Sequence, residues 1–127
     1  MVDGNDTVDN MFNFEKLETW QEASAFADQV YELTFNFPPD ERFGLTNPMR
    51  RAAVSISSNL AEGSSRPDSE RFVEIASGSL FEVVSQSFIG RRQGFLSEDQ
   101  FHRLYVAAEK QGKMLSGLRN SLLDAQT

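Results

Sequence analysis

Apolar residues recur at intervals of three and four in four separate stretches of this chain, with polar residues between them. That is the pattern of amphipathic helices. The first predicted helix begins near Glu15, with Asn13 as a candidate N-cap, and runs to about Phe35. Leu17, Trp20, Ala27 and Tyr31 form one apolar track, and Ala23, Phe26, Val30, Leu33 and Phe37 form another beside it. Phe37-Pro38-Pro39 ends the helix, because proline donates no backbone hydrogen bond and biases its predecessor toward extended geometry. A loop is predicted from there to about Leu45.

The second helix has Thr46 or Asn47 as cap and Pro48 at its first position, with Met49, Ala53, Ile56 and Leu60 on its apolar side. It should stop at Gly63 in a left-handed conformation. Ala52, Ser55, Ser57, Ser58 and Ala61 make its surface small enough for close approach by its neighbours. After a turn from Ser64 to Pro67, Asp68 or Ser69 caps a third helix that continues to about Arg92, ahead of Gly94. Phe72, Val73, Ala76, Leu80, Phe81, Val83, Val84 and Phe88 cover about half of its circumference, with Ile75 and Ile89 outside that half. Ser97 and Gln100 have the spacing of a capping box, and the fourth helix runs from there to about Leu122.

No alternation of period two competes with these patterns, and two of the three connections are short enough to force antiparallel neighbours. The predicted fold is all-α, an antiparallel up-down-up-down four-helix bundle over residues 13–127. Residues 1–12 carry Asp3, Asp6 and Asp9 with little to bury and read as a flexible acidic tail. One bundle cannot bury the whole apolar width of the third helix, so the bundles are expected to associate with one another.

Composition narrows the chemistry. The absence of cysteine removes disulfides, thiolate nucleophiles and cysteine-based zinc sites. The only histidine, His102, follows Asp99 by three residues, which is far short of the paired Glu-x-x-His units of an inward-facing di-iron bundle. The glycines form no phosphate-binding loop, and His102 has no partners for a serine triad. No catalytic residue, metal, cofactor or small-molecule substrate is expected. No run of about 18 apolar residues and no signal peptide is evident, so no membrane association is expected and the protein is expected to remain in the cytoplasm.

The net charge of −7 is unevenly distributed. Residues 1–41 hold ten acids and one base, whereas residues 42–92 hold seven arginines against five acids. Nucleic-acid binding by an acidic protein requires a local patch of this kind, and Arg50, Arg66, Arg71, Arg91 and Arg92 are its candidates. The same arginines also suit a solvated surface, with Arg91 and Arg92 favoured at a helix C-terminus. A second pattern is the polar stripe of Arg51, Ser55, Asn59 and Glu62 along the second helix. Antiparallel pairing that sets residue i against roughly 132 minus i brings Arg51 level with Glu82, and Ser55 level with Ser77 to Ser79. The stripe could bind a ligand. A partly buried Arg51–Glu82 pair and a small-residue crossing that fix helix register account for it with fewer assumptions.

Several separated strings identify a family resemblance. They are Phe14-Glu15-Lys16-Leu17-Glu18-Thr19-Trp20-Gln21-Glu22-Ala23, Phe37-Pro38, Glu41-Arg42-Phe43-Gly44-Leu45, Arg50-Arg51-Ala52-Ala53-Val54-Ser55-Ile56, Asn59-Leu60-Ala61-Glu62-Gly63, Arg66, and Ala76-Ser77-Gly78-Ser79-Leu80-Phe81-Glu82. In this order they closely resemble the bacterial four helix bundle proteins, also called ribosomal RNA intervening-sequence proteins. Ser57 stands where that family usually has proline. The resemblance implies a bundle that commonly forms a homopentameric ring. It also implies kinship in fold with the accessory proteins of diversity-generating retroelements, which bind a reverse transcriptase and nucleic acid. The expected function is therefore a non-catalytic, homo-oligomeric assembly or interaction module. The alternative is a nucleic-acid-binding or reverse-transcriptase accessory protein acting through the central arginines. The expected partners are further copies of the chain and an RNA or a nucleic-acid-processing protein.

Overall fold

The computed structural model describes residues 12–125, and among them every regular element is helical. Four long helices make the frame: α1 (Glu18–Thr34), α2 (Asn47–Gly63), α3 (Ser69–Arg92) and α4 (Glu98–Asp124). Each packs against its neighbours in chain order and α1 closes onto α4, which gives an up-down-up-down bundle. Of the predicted tail, only Phe12 falls among the described residues, where its ring meets Phe14 at 6.2 Å.

The core follows the predicted apolar tracks. Ala23, Val30, Ala53, Ile56, Ala76 and Val83 are fully buried, with Met49, Leu104 and Leu115 almost so. Such interdigitated side chains supply most of the stability of helices that would be marginal alone. Polar side chains enter the core at Thr19, Thr34, Ser87 and Gln111. Gln111 is wholly buried and donates a 3.3 Å hydrogen bond to the Thr19 carbonyl, tying α4 to α1.

Helix ends depart from the sequence reading in four places. A 3-10 turn, Asn13–Lys16, precedes α1, and Leu17 interrupts the path in extended geometry. Asn13 is therefore inside a turn and caps nothing. The predicted loop before α2 is almost all helical: a 3-10 turn, Pro39–Glu41, leads into a π turn, Arg42–Thr46, and then directly into α2. Proline ends one helix but is well tolerated in the first turn of the next. Thr46 is consequently in helical geometry and its side chain makes no cap.

Gly63 is not left-handed; among the described residues only Gly94 has positive φ, at 81°. Gly63 meets another need in helical geometry, since a Cβ there would lie 2.6 Å from the Phe72 Cβ. The close approach of α2 and α3 requires glycine at this point. Finally, Asp68 makes no side-chain cap for α3. The capping box of α4 does form, with the Gln100 amide donating to Ser97 Oγ at 3.0 Å and the Ser97 amide donating to Gln100 Oε1 at 2.9 Å.

Candidate interaction surface

The apolar excess of α3 emerges on the outside of the α3–α4 pair. Leu80 and Val83 turn into the core, but Phe81, one residue further round the helix, is 74% exposed. Steps of three and four carry its face through Val84 to Phe88, while α4 presents Phe101, Tyr105, Ala108 and Gly112 at matching steps. Leu80, Phe81, Val84, Tyr105, Ala108 and Gly112 line a shallow groove between the helices. Gly112 leaves that groove open because it contributes no side chain.

The rings at one end of the groove form a cluster. Phe88 meets Phe101 edge-on at 4.8 Å and Tyr105 at 6.2 Å. The Arg91 guanidinium lies 4.1 Å from the Phe101 ring centre and 5.3 Å from that of Phe88, and pairs with Glu98 at 3.6 Å. A cation over ring faces is attracted by their quadrupoles, so Arg91 holds the cluster together. At the other end Arg119 joins α4 to α3 through Glu74 at 2.9 Å. The seam is thus an apolar and aromatic strip, bordered by Glu109, with an ionic contact at each end. On the outward side of α3, Ile75 and Ile89 are also substantially exposed.

The predicted arginine patch is dispersed along the bundle. Arg66 faces Glu62 at 3.5 Å and Asp68 at 3.9 Å, and Arg71 faces the same Asp68 at 3.9 Å. Arg91 is held as described, and Arg92 is exposed at the end of α3. Arg50 sits near the start of α2, roughly 24 Å from Arg66 at the helical rise of 1.5 Å per residue. It stacks on Tyr31 at 4.6 Å and donates from Nε to Thr34 Oγ1 at 2.8 Å.

The polar stripe divides. Ser55 lies level with Ser79, their hydroxyls 2.9 Å apart, and Asn59 donates to Ser55 Oγ at 3.0 Å and to its carbonyl at 2.8 Å. The predicted Arg51–Glu82 pair does not form: both residues are exposed, and Glu82 accepts a long hydrogen bond from Gln86 at 3.5 Å. The small serines let α2 and α3 approach at Ser55 and Ser79, while Arg51 and Glu82 are carried away from the contact. Glu62 turns to Arg66 on the surface.

Among the described residues no group of His, Asp and Glu side chains has the clustering of a metal site, and no helix is long and apolar enough to cross a membrane. The residues that stand out chemically are apolar and aromatic side chains held outward on a rigid frame. These features define, over the described residues, an all-α protein of four long helices that exposes aromatic side chains along α3 and α4 and also at Phe35 and Phe43 between α1 and α2. Residues 15–117 match the 23S rRNA-intervening sequence protein family, and the chain belongs to it. No curated protein matches the chain.

Proposed function

We propose that the protein is a non-catalytic interaction module that assembles into a homo-oligomeric ring through the α3–α4 seam. The observation that carries this reading is Phe81, 74% exposed in the middle of a strip that also holds Val84, Phe88 and Tyr105. A phenylalanine exposes up to roughly 200 Å² of apolar surface. Covering the exposed share of Phe81 at about 25 cal/mol per Å² stabilises a contact by about 4 kcal/mol before the costs of association. A closed ring needs two different, complementary patches on each protomer. The seam supplies one, and the surface around Ile75 and Ile89 supplies the other. Five protomers is the number implied by the resemblance to the intervening-sequence family. An RNA or a ribonucleoprotein is the partner that the family's description suggests for the assembled surface.

Direct nucleic-acid binding through the central arginines has less support. Arg66, Arg71 and Arg91 already face carboxylates, which lowers the counterion release available on meeting phosphates. Sedimentation velocity on the intact chain and on Phe81→Asp separates these readings from a monomeric one. The variant should lose self-association while keeping its helical circular dichroism. An unchanged sedimentation coefficient would remove the seam from the interface.

A further inference from the structure

The connection between α1 and α2 borders an open cleft of about 280 Å³ that owes nothing to the α3–α4 seam. Arg42 and Arg50 both line it, together with the polar side chains of Thr34, Thr46 and Asn47 and the ring of Phe35. No carboxylate lines it. Among the described residues, no ion pair reaches either arginine, although Arg66, Arg71, Arg91, Arg103 and Arg119 each have one. Arg51 and Arg92 also have none among the described residues, so what sets Arg42 and Arg50 apart is that they share one cleft with no carboxylate in its lining. Arg50 is half-buried in the cleft, whereas Arg42 is exposed at its edge.

Arg50 is also held in position. Thr34 is 2% exposed, and its hydroxyl donates to the Val30 carbonyl at 2.7 Å while accepting from Arg50 Nε at 2.8 Å. Nη2 donates to the Tyr31 carbonyl at 3.3 Å, and the guanidinium is stacked on the Tyr31 ring. Those bonds use Nε and one Nη2 hydrogen, leaving the Nη1 amino group and the second Nη2 hydrogen uncommitted. A planar fork with fixed orientation and spare donors is suited to two oxygens of one phosphate. Arg42 enters from the π turn Arg42–Thr46, a backbone irregularity of a kind frequent at functional sites. Phe35, 79% exposed on the cleft wall, offers a flat apolar face beside the two cations.

We infer that this cleft is a nucleotide-phosphate site, with Arg50 and Arg42 holding the phosphate oxygens and Phe35 stacking against the base. All of these residues belong to one protomer, so the site does not depend on assembly. Its volume lies near the lower end of small-ligand sites, which begin at roughly 300 Å³.

The test is a heteronuclear NMR titration of the full chain at constant ionic strength with adenosine monophosphate, inorganic phosphate and adenosine. Adenosine monophosphate should give saturable shifts at Thr34, Arg42, Asn47 and Arg50, and should bind about tenfold more tightly than inorganic phosphate because of stacking on Phe35. Adenosine alone should bind at least tenfold more weakly than the monophosphate. Arg50→Met should abolish the shifts, but it also removes a tie between α1 and α2. Arg42→Gln breaks no such tie and should weaken binding about tenfold, the loss of one charge-assisted hydrogen bond. Lys113→Gln, which removes the same charge elsewhere on the surface, should leave affinity unchanged. Absence of saturable shifts, or equal affinity in wild type and Arg42→Gln, would overturn the site. Equal affinity for phosphate and the monophosphate would overturn the role of Phe35, and equal affinity for adenosine would overturn that of the arginines.

Discussion

Replacing Gly63 by alanine asks whether the α2–α3 contact works as described. Gly63 is helical, so the substitution alone should stabilise α2 by about 1 kcal/mol through helix propensity. The added Cβ, however, lies 2.6 Å from Phe72 Cβ and 3.1 Å from its Cγ. Neither atom is the free end of a flexible side chain, so relief requires the helices to separate. Overpacking of this kind costs ~1–3 kcal/mol, and rigid partners place this case near 3. The net loss is about 2 kcal/mol, or roughly 8 °C in Tm for a chain of this size. Gly78→Ala supplies the contrast, because nothing lies within 4 Å of a Cβ there and the residue is exposed within α3. It should gain about 1 kcal/mol, roughly 4 °C. Thermal unfolding by circular dichroism at one fixed protein concentration reads both variants. A Gly63→Ala protein at least as stable as wild type, or equal losses in the two variants, would refute the close-approach argument.

Other substitutions probe the ends and the core. Gly94→Ala should cost about 1 kcal/mol, because φ at this position is +81° and the cost is conformational rather than steric. Ser97→Ala removes the Oγ that accepts from the Gln100 amide, while the backbone amide at 97 can still donate to Gln100 Oε1, and should lower stability by about 1 kcal/mol in chemical denaturation. Gln111→Leu should stay within about 1 kcal/mol of wild type, since it removes a buried Oε1 that has no partner while giving up only one long hydrogen bond. Gln111→Ala should cost about 2–3 kcal/mol in the same assay, because it also leaves a cavity.

The helices themselves were legible because their information is local. Periodicity identified the tracks around Val30, Ile56 and Val83, and the Ser97–Gln100 spacing identified a cap that does form. Structure and sequence pattern part where one local signal serves two structures. Pro38 and Pro39 do end α1, but the same residues also begin the turns that lead into α2. Gly63 suits either a left-handed terminus or a close crossing, and only the position of Phe72 decides between them.

Tyr31 falls on an apolar track of the first helix, yet it is 45% exposed beneath Arg50. The surface was less legible than the core. The pairing of Arg66 with Glu62 and of Arg71 with Asp68 can be seen in spacings of four and three, but the hold of Thr34 on Arg50 spans 16 positions and two helices. Linear alignment also misplaced Arg51 and Glu82, since level positions meet only when they share a face. The excess apolar width of α3 was visible in the sequence, whereas its junction with Tyr105 and Gly112 on α4 required the bundle's geometry.

Self-association through the α3–α4 seam is the central claim, and the solution mass of the unmodified chain tests it most directly. Light scattering coupled to size exclusion, over a range of loading concentrations, should return a discrete multiple of the 14.3 kDa chain, with five as the multiple implied for the ring. A mass of 14.3 kDa throughout that range would contradict the assembly and leave Phe81 and its neighbours to be explained by a different partner.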